Sequence, residues 1–197
     1  MVFRRLAAIV AVSLLVVGLA SCRSDPSVAA YVGDKQITLD QIDNYYDQAA
    51  KDSLTSEVVS QRSSEIKPWL VSMLVYTSLL KEAAAQNHVT VSAGQIAQAK
   101  EAVESARSSI TSQLVLLPLD ELAELETYQE LMINWAGGGA GDDTATNQKY
   151  SAALKASLKD NPVTVNPRFG KFDLNHIPWM LSADVAVTPL PSASAAP

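Results

Sequence analysis

Apolar side chains recur at three- and four-residue steps through residues 66–87, where Ile66, Trp69, Leu70, Met73, Leu74, Thr77, Leu80 and Ala84 fall on one stripe. Val71, Val75 and Leu79 widen that stripe onto a second face. A helix that is apolar on most sides needs partners on most sides, so the pattern predicts the central helix of a small helical domain. Pro68 fits a first helical turn, where an absent N–H costs nothing, and Asn87 marks a stop. The uninterrupted apolar part, 69–80, is about half of the roughly 20 residues a bilayer span requires, and Lys67 and Lys81 bracket it.

Upstream the period changes. Residues 28–32 have β character, Gly33-Asp34 can turn, and 35–37 can return as a short strand. Thr38 with Gln41 has the spacing of a capping box, Asp40 lies in the first turn, and Leu39, Ile42, Tyr45, Tyr46 and Ala49 make an apolar helical stripe. The serine-rich stretch 53–64 is compatible with continuing that helix or interrupting it. Downstream, His88 to Val91 reads as an extended link, and Ser92 with Gln95 repeats the capping spacing ahead of Ile96, Ala99, Val103, Ala106 and Ile110. Pro118 breaks the chain before a helix over 120–135 with Leu122, Leu125, Tyr128, Leu131, Met132 and Trp135 inward. The glycine run 137–143 predicts a flexible joint; with no strand before it and no Gly-Lys-Ser/Thr after it, it is not a phosphate loop. Asp142 and Asp143 cap the next helix rather than bind metal, since no ligand lies at suitable spacing. That helix, 144–159, carries Tyr150, Leu154 and Leu158 and ends at Asn161-Pro162. Val163 and Val165 are strand-like, Asn166-Pro167 turns, and 168–172 extends again.

The ends of the chain set its compartment. Arg4 and Arg5 precede an uncharged apolar run, 6–17, of the length of a signal-peptide core, which predicts export. The run closes on Leu19-Ala20-Ser21-Cys22. This resembles the lipobox of bacterial lipoproteins, whose cysteine receives a diacylglycerol on sulfur, becomes the new N-terminus and can be acylated there with a fatty acid such as palmitate. Cys22 is also the only cysteine, so no disulfide partner competes for it. The resemblance implies a lipid-anchored protein at the extracytoplasmic face of the cell membrane, because two or three acyl chains anchor stably where one is marginal. The organisation expected is a lipoprotein signal peptide over 1–21, a tether over 22–27, a helical domain over 28–181 with its joint at 137–143, and a disordered tail over 182–197. Without Arg4 and Arg5 the chain holds 13 basic against 21 acidic side chains, a net of −8. With no Lys/Arg cluster either, nucleic acid is not an expected partner.

Three blocks, AAYVGDKQITLDQID, LVSMLVYTSLLKEAAAQNHVTVSAGQI and VNPRFGKFD, in that order, resemble the N-terminal chaperone domain of the SurA-type and PrsA-type periplasmic foldases. The resemblance implies a mainly α fold, a helical bundle with a small β element formed by the N-terminal hairpin and a C-terminal strand. Fuller members of that group insert a parvulin isomerase domain between the last two helices, where this chain has only 137–143. The parvulin pocket uses histidines around a proline slot; here His88 and His176 are far apart in sequence, so isomerase activity is not expected. The function implied is a membrane-anchored chaperone-like protein that binds unfolded or exported polypeptides, the alternative being an adaptor or scaffold lipoprotein for a cell-envelope complex. Trp69, Met73, Tyr76, Met132, Trp135 and Trp179 supply apolar material for a cleft, although residues at helical spacing are more often core. No nucleophile–base pair, carboxylate pair or metal cluster is present at meaningful spacing, so no enzyme activity, cofactor or metal is expected. The membrane lipid on Cys22 and polypeptide clients are the partners expected, with no oligomeric state and no client-binding residues assigned.

Overall fold

A computed structural model describes residues 25–110, 113–138 and 144–176. The expectations placed on 1–24, 139–143 and 177–197, Cys22, Trp179 and the tail among them, lie outside the described residues.

Val28–Val32 (β1) is buried at every position, because it is the middle strand of a three-stranded antiparallel sheet of order β2-β1-β3. Lys35–Thr38 (β2) returns beside it through the Gly33-Asp34 turn, and Val163–Val165 (β3) arrives on its other edge from more than 120 residues away. The N-terminal hairpin and the C-terminal strand thus meet, as the family resemblance implied. The turn is closed from outside: Gly33 donates to the Pro162 carbonyl at 3.1 Å, and its φ of +57° is a conformation that only glycine adopts without strain. Asn166 extends the closure, with its backbone N–H on Ala29 O at 2.8 Å and its side-chain amide on Val28 O at 3.2 Å.

The described residues form six α-helices, of which α1 and α3 pack on the sheet: Leu39–Lys51 (α1), Ser56–Gln61 (α2), Ser63–Gln86 (α3), Ala93–Ala106 (α4), Leu119–Ala136 (α5) and Thr144–Asp160 (α6). α3 packs against α1, α2, α5, α6 and β1, which is why its burial runs round the helix: Ile66, Trp69, Leu70, Met73, Val75, Tyr76, Leu79 and Leu80 are all within the core. Each such side chain contributes on the order of 1.5–3 kcal/mol on removal from water. Among the described residues no helix is long and apolar enough to cross a membrane.

The local signals work as their chemistry requires. Ser92 and Gln95 make both halves of a capping box, Gln95 N–H on Ser92 Oγ at 3.2 Å and Ser92 N–H on Gln95 Oε1 at 2.9 Å. At the start of α1 only one half forms: Thr38 Oγ1 accepts from Gln41 N–H, whereas the Gln41 amide turns to the Tyr45 hydroxyl.

The structure corrects three local expectations and decides a fourth that the sequence left open. Pro68 is inside α3 rather than in its first turn, because the helix begins at Ser63; those added turns carry one buried apolar residue, Ile66, too few to register as a period. The stretch 53–64 interrupts rather than continues α1. Asp52 ends that helix, Thr55 is buried with its hydroxyl on the Ala49 carbonyl at 2.6 Å, and α2 intervenes before α3. Ile110 lies beyond α4, after a 3₁₀ turn over Arg107–Ser109, and Ala106 is exposed. Residues 168–172 do not extend: Pro167–Phe169 is a 3₁₀ turn, capped by Asn166 Oδ1 accepting from Arg168 N–H. At the other end of α5, Gly137 takes φ +108° as the helix cap. Gly138 donates to Ile133 O, where an added Cβ would come within 2.6 Å of the Ile133 side chain. These two glycines therefore stop a helix.

Candidate functional site in the groove between α3 and α6

α3 and α6 lie against each other at Leu79 and Ser157. Ser157 is fully buried and donates its hydroxyl to the Leu79 carbonyl at 3.1 Å, so a small side chain permits the approach and its one polar atom is satisfied. One helical turn and more towards the start of α6, Leu154 and Tyr150 follow on the same face. Tyr150 meets Tyr76 of α3, their hydroxyls sharing a 2.5 Å hydrogen bond.

Above this pair opens a pocket of about 320 Å³, walled by Ser151, Leu154 and Lys155 of α6 and rimmed by Leu174 and Asn175 of the 3₁₀ turn Leu174–His176. Burial pushes the Tyr150 phenol up to about 12, against the opposing pull of its hydrogen bond to Tyr76. Burial first, then the neighbouring Tyr150, raises Tyr76 further. Both phenols are neutral at physiological pH. The pocket is lined by two tyrosines and two leucines together with Ser151, Lys155 and Asn175, a mixed polar and apolar surface.

A second polar link ties α1 to α5, where Tyr45 donates to Glu121 Oε1 at 2.6 Å; burial and then that carboxylate raise Tyr45 to about 12. Lys81 pairs with Glu124 and lies over the Tyr128 ring, and Lys149 donates to Trp135 O with its ammonium 4.1 Å from that ring's centroid. These contacts clamp α5 to α3 and α6.

The residues offered by the sequence as cleft material divide on this frame. Trp69, Met73 and Met132 are core, and Tyr76 is buried at the pocket floor. Trp135 is partly buried beneath Lys149. Among the described residues, the large apolar side chains that stand in solvent are instead Leu54, 48% exposed in the turn after α1, and Ile133, 37% exposed near the end of α5. His88 is an exposed residue with φ +55°, donating its backbone N–H to Ala85 O, the geometry of a helix stop. His176 closes the last 3₁₀ turn. Among the described residues no group of His, Cys, Asp or Glu is placed to hold a metal ion. Of the pocket, Tyr150 and Leu154 were visible as helical-period residues and Tyr76 as cleft material; Ser151, Lys155, Leu174 and Asn175 carried no sequence signal, because their role arises only where the C-terminal turn returns to α6.

The family model for the SurA-like N-terminal domain matches residues 1–106, more than half of the chain. This chain belongs to the SurA-like N-terminal domain family. No curated protein and no solved structure matches it. The part matched to the SurA-like domain runs through β1, β2 and α1 to α4, and α5, α6 and β3 complete the fold around it, with β3 pairing to the first strand of the matched region.

Proposed function

We propose that this SurA-like protein is a lipid-anchored, extracytoplasmic chaperone that holds unfolded or exported polypeptides without isomerising their prolines. The observation that carries the reading is family membership combined with the closure of the domain on itself: β1 leads directly from the tether into the centre of the sheet, and β3 seals it. Acylation of Cys22 would bind the membrane, and the residues from 22 to 27 span at most about 18 Å when extended. The sheet would then sit close to the bilayer, near polypeptides as they emerge. Support for a holding role rather than chemistry comes from the α3–α6 pocket, where leucines and neutral phenols stand beside only uncharged hydroxyls, one amide and one lysine.

The test is purified mature protein against an aggregating unfolded client, together with crosslinking to newly exported chains in cells. Slowed aggregation and many crosslinked clients are expected; absence of both refutes the proposal. Replacing Cys22→Ala should release the protein from membranes on fractionation. A proline-isomerisation assay should show no acceleration.

The small number of large apolar side chains in solvent among the described residues favours a second reading, an adaptor for one envelope complex. Pulldown from solubilised membranes separates the two, since an adaptor returns one stoichiometric partner.

A further inference from the structure

β3 is an outer strand of the sheet, and its hydrogen bonds fix which of its backbone groups face outwards. Gly33 N–H reaches Pro162 O and Asn166 N–H reaches Ala29 O, with Thr164 opposite Tyr31 between them, so residues 162, 164 and 166 direct their backbone groups at β1. Val163 and Val165 alternate with them, and their N–H and C=O groups point away from the sheet. Among the described residues nothing bonds to these groups. We infer that this open edge is a docking site for an extended segment of another polypeptide, which pairs with β3 as an added strand and is recognised through its main chain.

The two edges of the sheet are not alike. Lys35 and Ile37 of β2 lie opposite Val32 and Ala30, which leaves Gln36 as the residue turned outwards, and exposed Lys35 blunts that edge. β3 is Val-Thr-Val, with no charged side chain. Pro162 does not interrupt its edge, since the missing N–H lies on the β1 side, and Pro167 opens the 3₁₀ turn that ends it. Val163 and Val165 pack on the core while Thr164 is exposed, so the edge is held in place before any partner arrives. Donors and acceptors repeating at every second residue match an extended backbone and no compact ligand. A strand of 3 residues falls far short of the roughly 1,200 Å² that a stable dimer buries, so the occupant is a transient polypeptide segment rather than a second copy. The inference rests on the chaperone reading proposed above and deepens it: main-chain pairing at so short an edge is weak and tolerant of sequence, as a protein that holds and releases many clients requires.

The experiment uses a fluorescent Thr-Val-Thr-Val-Thr peptide with the full mature chain, and the same peptide fully N-methylated, which keeps the side chains and donates nothing. The N-methylated form should bind at least about tenfold more weakly, the loss of roughly two hydrogen bonds. Val165→Pro removes one outward N–H at an edge position where proline is tolerated, and should weaken the unmodified peptide by a similar factor with the circular dichroism unchanged. Should that variant unfold, the N-methylated peptide alone decides. A photocrosslinker, p-benzoylphenylalanine, at position 164 should capture the peptide. Equal binding of both peptides, unchanged binding by folded Val165→Pro, or crosslinks only to a second copy or within the chain overturn the inference. None of these readouts requires chaperone activity: peptide capture with a failed aggregation assay rejects the function and keeps the edge site, whereas slowed aggregation by folded Val165→Pro with unaltered peptide binding keeps the function and rejects the site.

Discussion

Gly33→Ala tests whether the two ends of the chain are joined as described. The substitution acts twice. At φ +57° an alanine incurs roughly 1–2 kcal/mol of backbone strain. Its Cβ would also lie 2.8 Å from Asn161 Oδ1, far inside contact distance, so the Asn161 side chain must swing away and give up its hydrogen bond to the Ser157 carbonyl, worth about 1 kcal/mol. The single variant should therefore lose about 2.5 kcal/mol. Asn161→Ala alone should lose about 1 kcal/mol, that of the same hydrogen bond. In the double variant the clash is gone and only strain and one lost bond remain, about 2.5 kcal/mol, so the pair falls short of the sum by about 1 kcal/mol. Urea unfolding followed by circular dichroism, with midpoints compared at constant slope, measures all three. Full additivity, within about 0.5 kcal/mol, would falsify the contact between the hairpin turn and the α6–β3 junction, residues 128 positions apart in the chain.

Three further outcomes are expected. Tyr45 and Tyr150 have folded-state pKa values near 12, and Tyr76 is raised beyond them, above the 10.0 of an unperturbed phenol; their stabilisation is complete below pH 10 and is lost as pH rises towards 12. Titration of absorbance at 295 nm alongside far-ultraviolet circular dichroism should show late phenol ionisation coinciding with unfolding, and early ionisation of all six tyrosines in an intact fold would contradict it. Glu126 is held above its usual value of 4.5 by partial desolvation and then by Glu130, so its contribution to stability is present below that pH and declines as pH rises through the raised value. Glu126→Gln should therefore raise the unfolding free energy measured with urea at pH 7 by about 0.3 kcal/mol and leave it unchanged at pH 3.5. Ser157→Val should cost on the order of 1–3 kcal/mol in the same assay, because it adds volume where α6 meets Leu79, whereas Ser157→Ala should cost about 1 kcal/mol.

The sequence by itself determined the elements whose signals are local. The period of α3, the caps at Thr38 and Ser92, the Gly33-Asp34 turn and the apolar faces of α5 and α6 all depend on residues within a few positions of one another, and each formed where its chemistry placed it. Pro68 was misplaced because the start of α3 carries only Ile66 as a buried apolar residue, and the stretch 53–64 was left open because what ends α1 leaves no periodic signal: Thr55 finds the Ala49 carbonyl, and Asp52 finds Arg107 at 2.7 Å. Which apolar residues were core and which were available could not be read from spacing, since Trp69, Met73 and Met132 share the period of side chains that do reach solvent. That depended on the number of neighbours surrounding each helix. Tertiary structure alone decided that α3 would be enclosed on nearly every side. It alone also brought Leu174 and Asn175 over Tyr150, because that contact joins segments whose proximity is set by the pairing of β3 with β1.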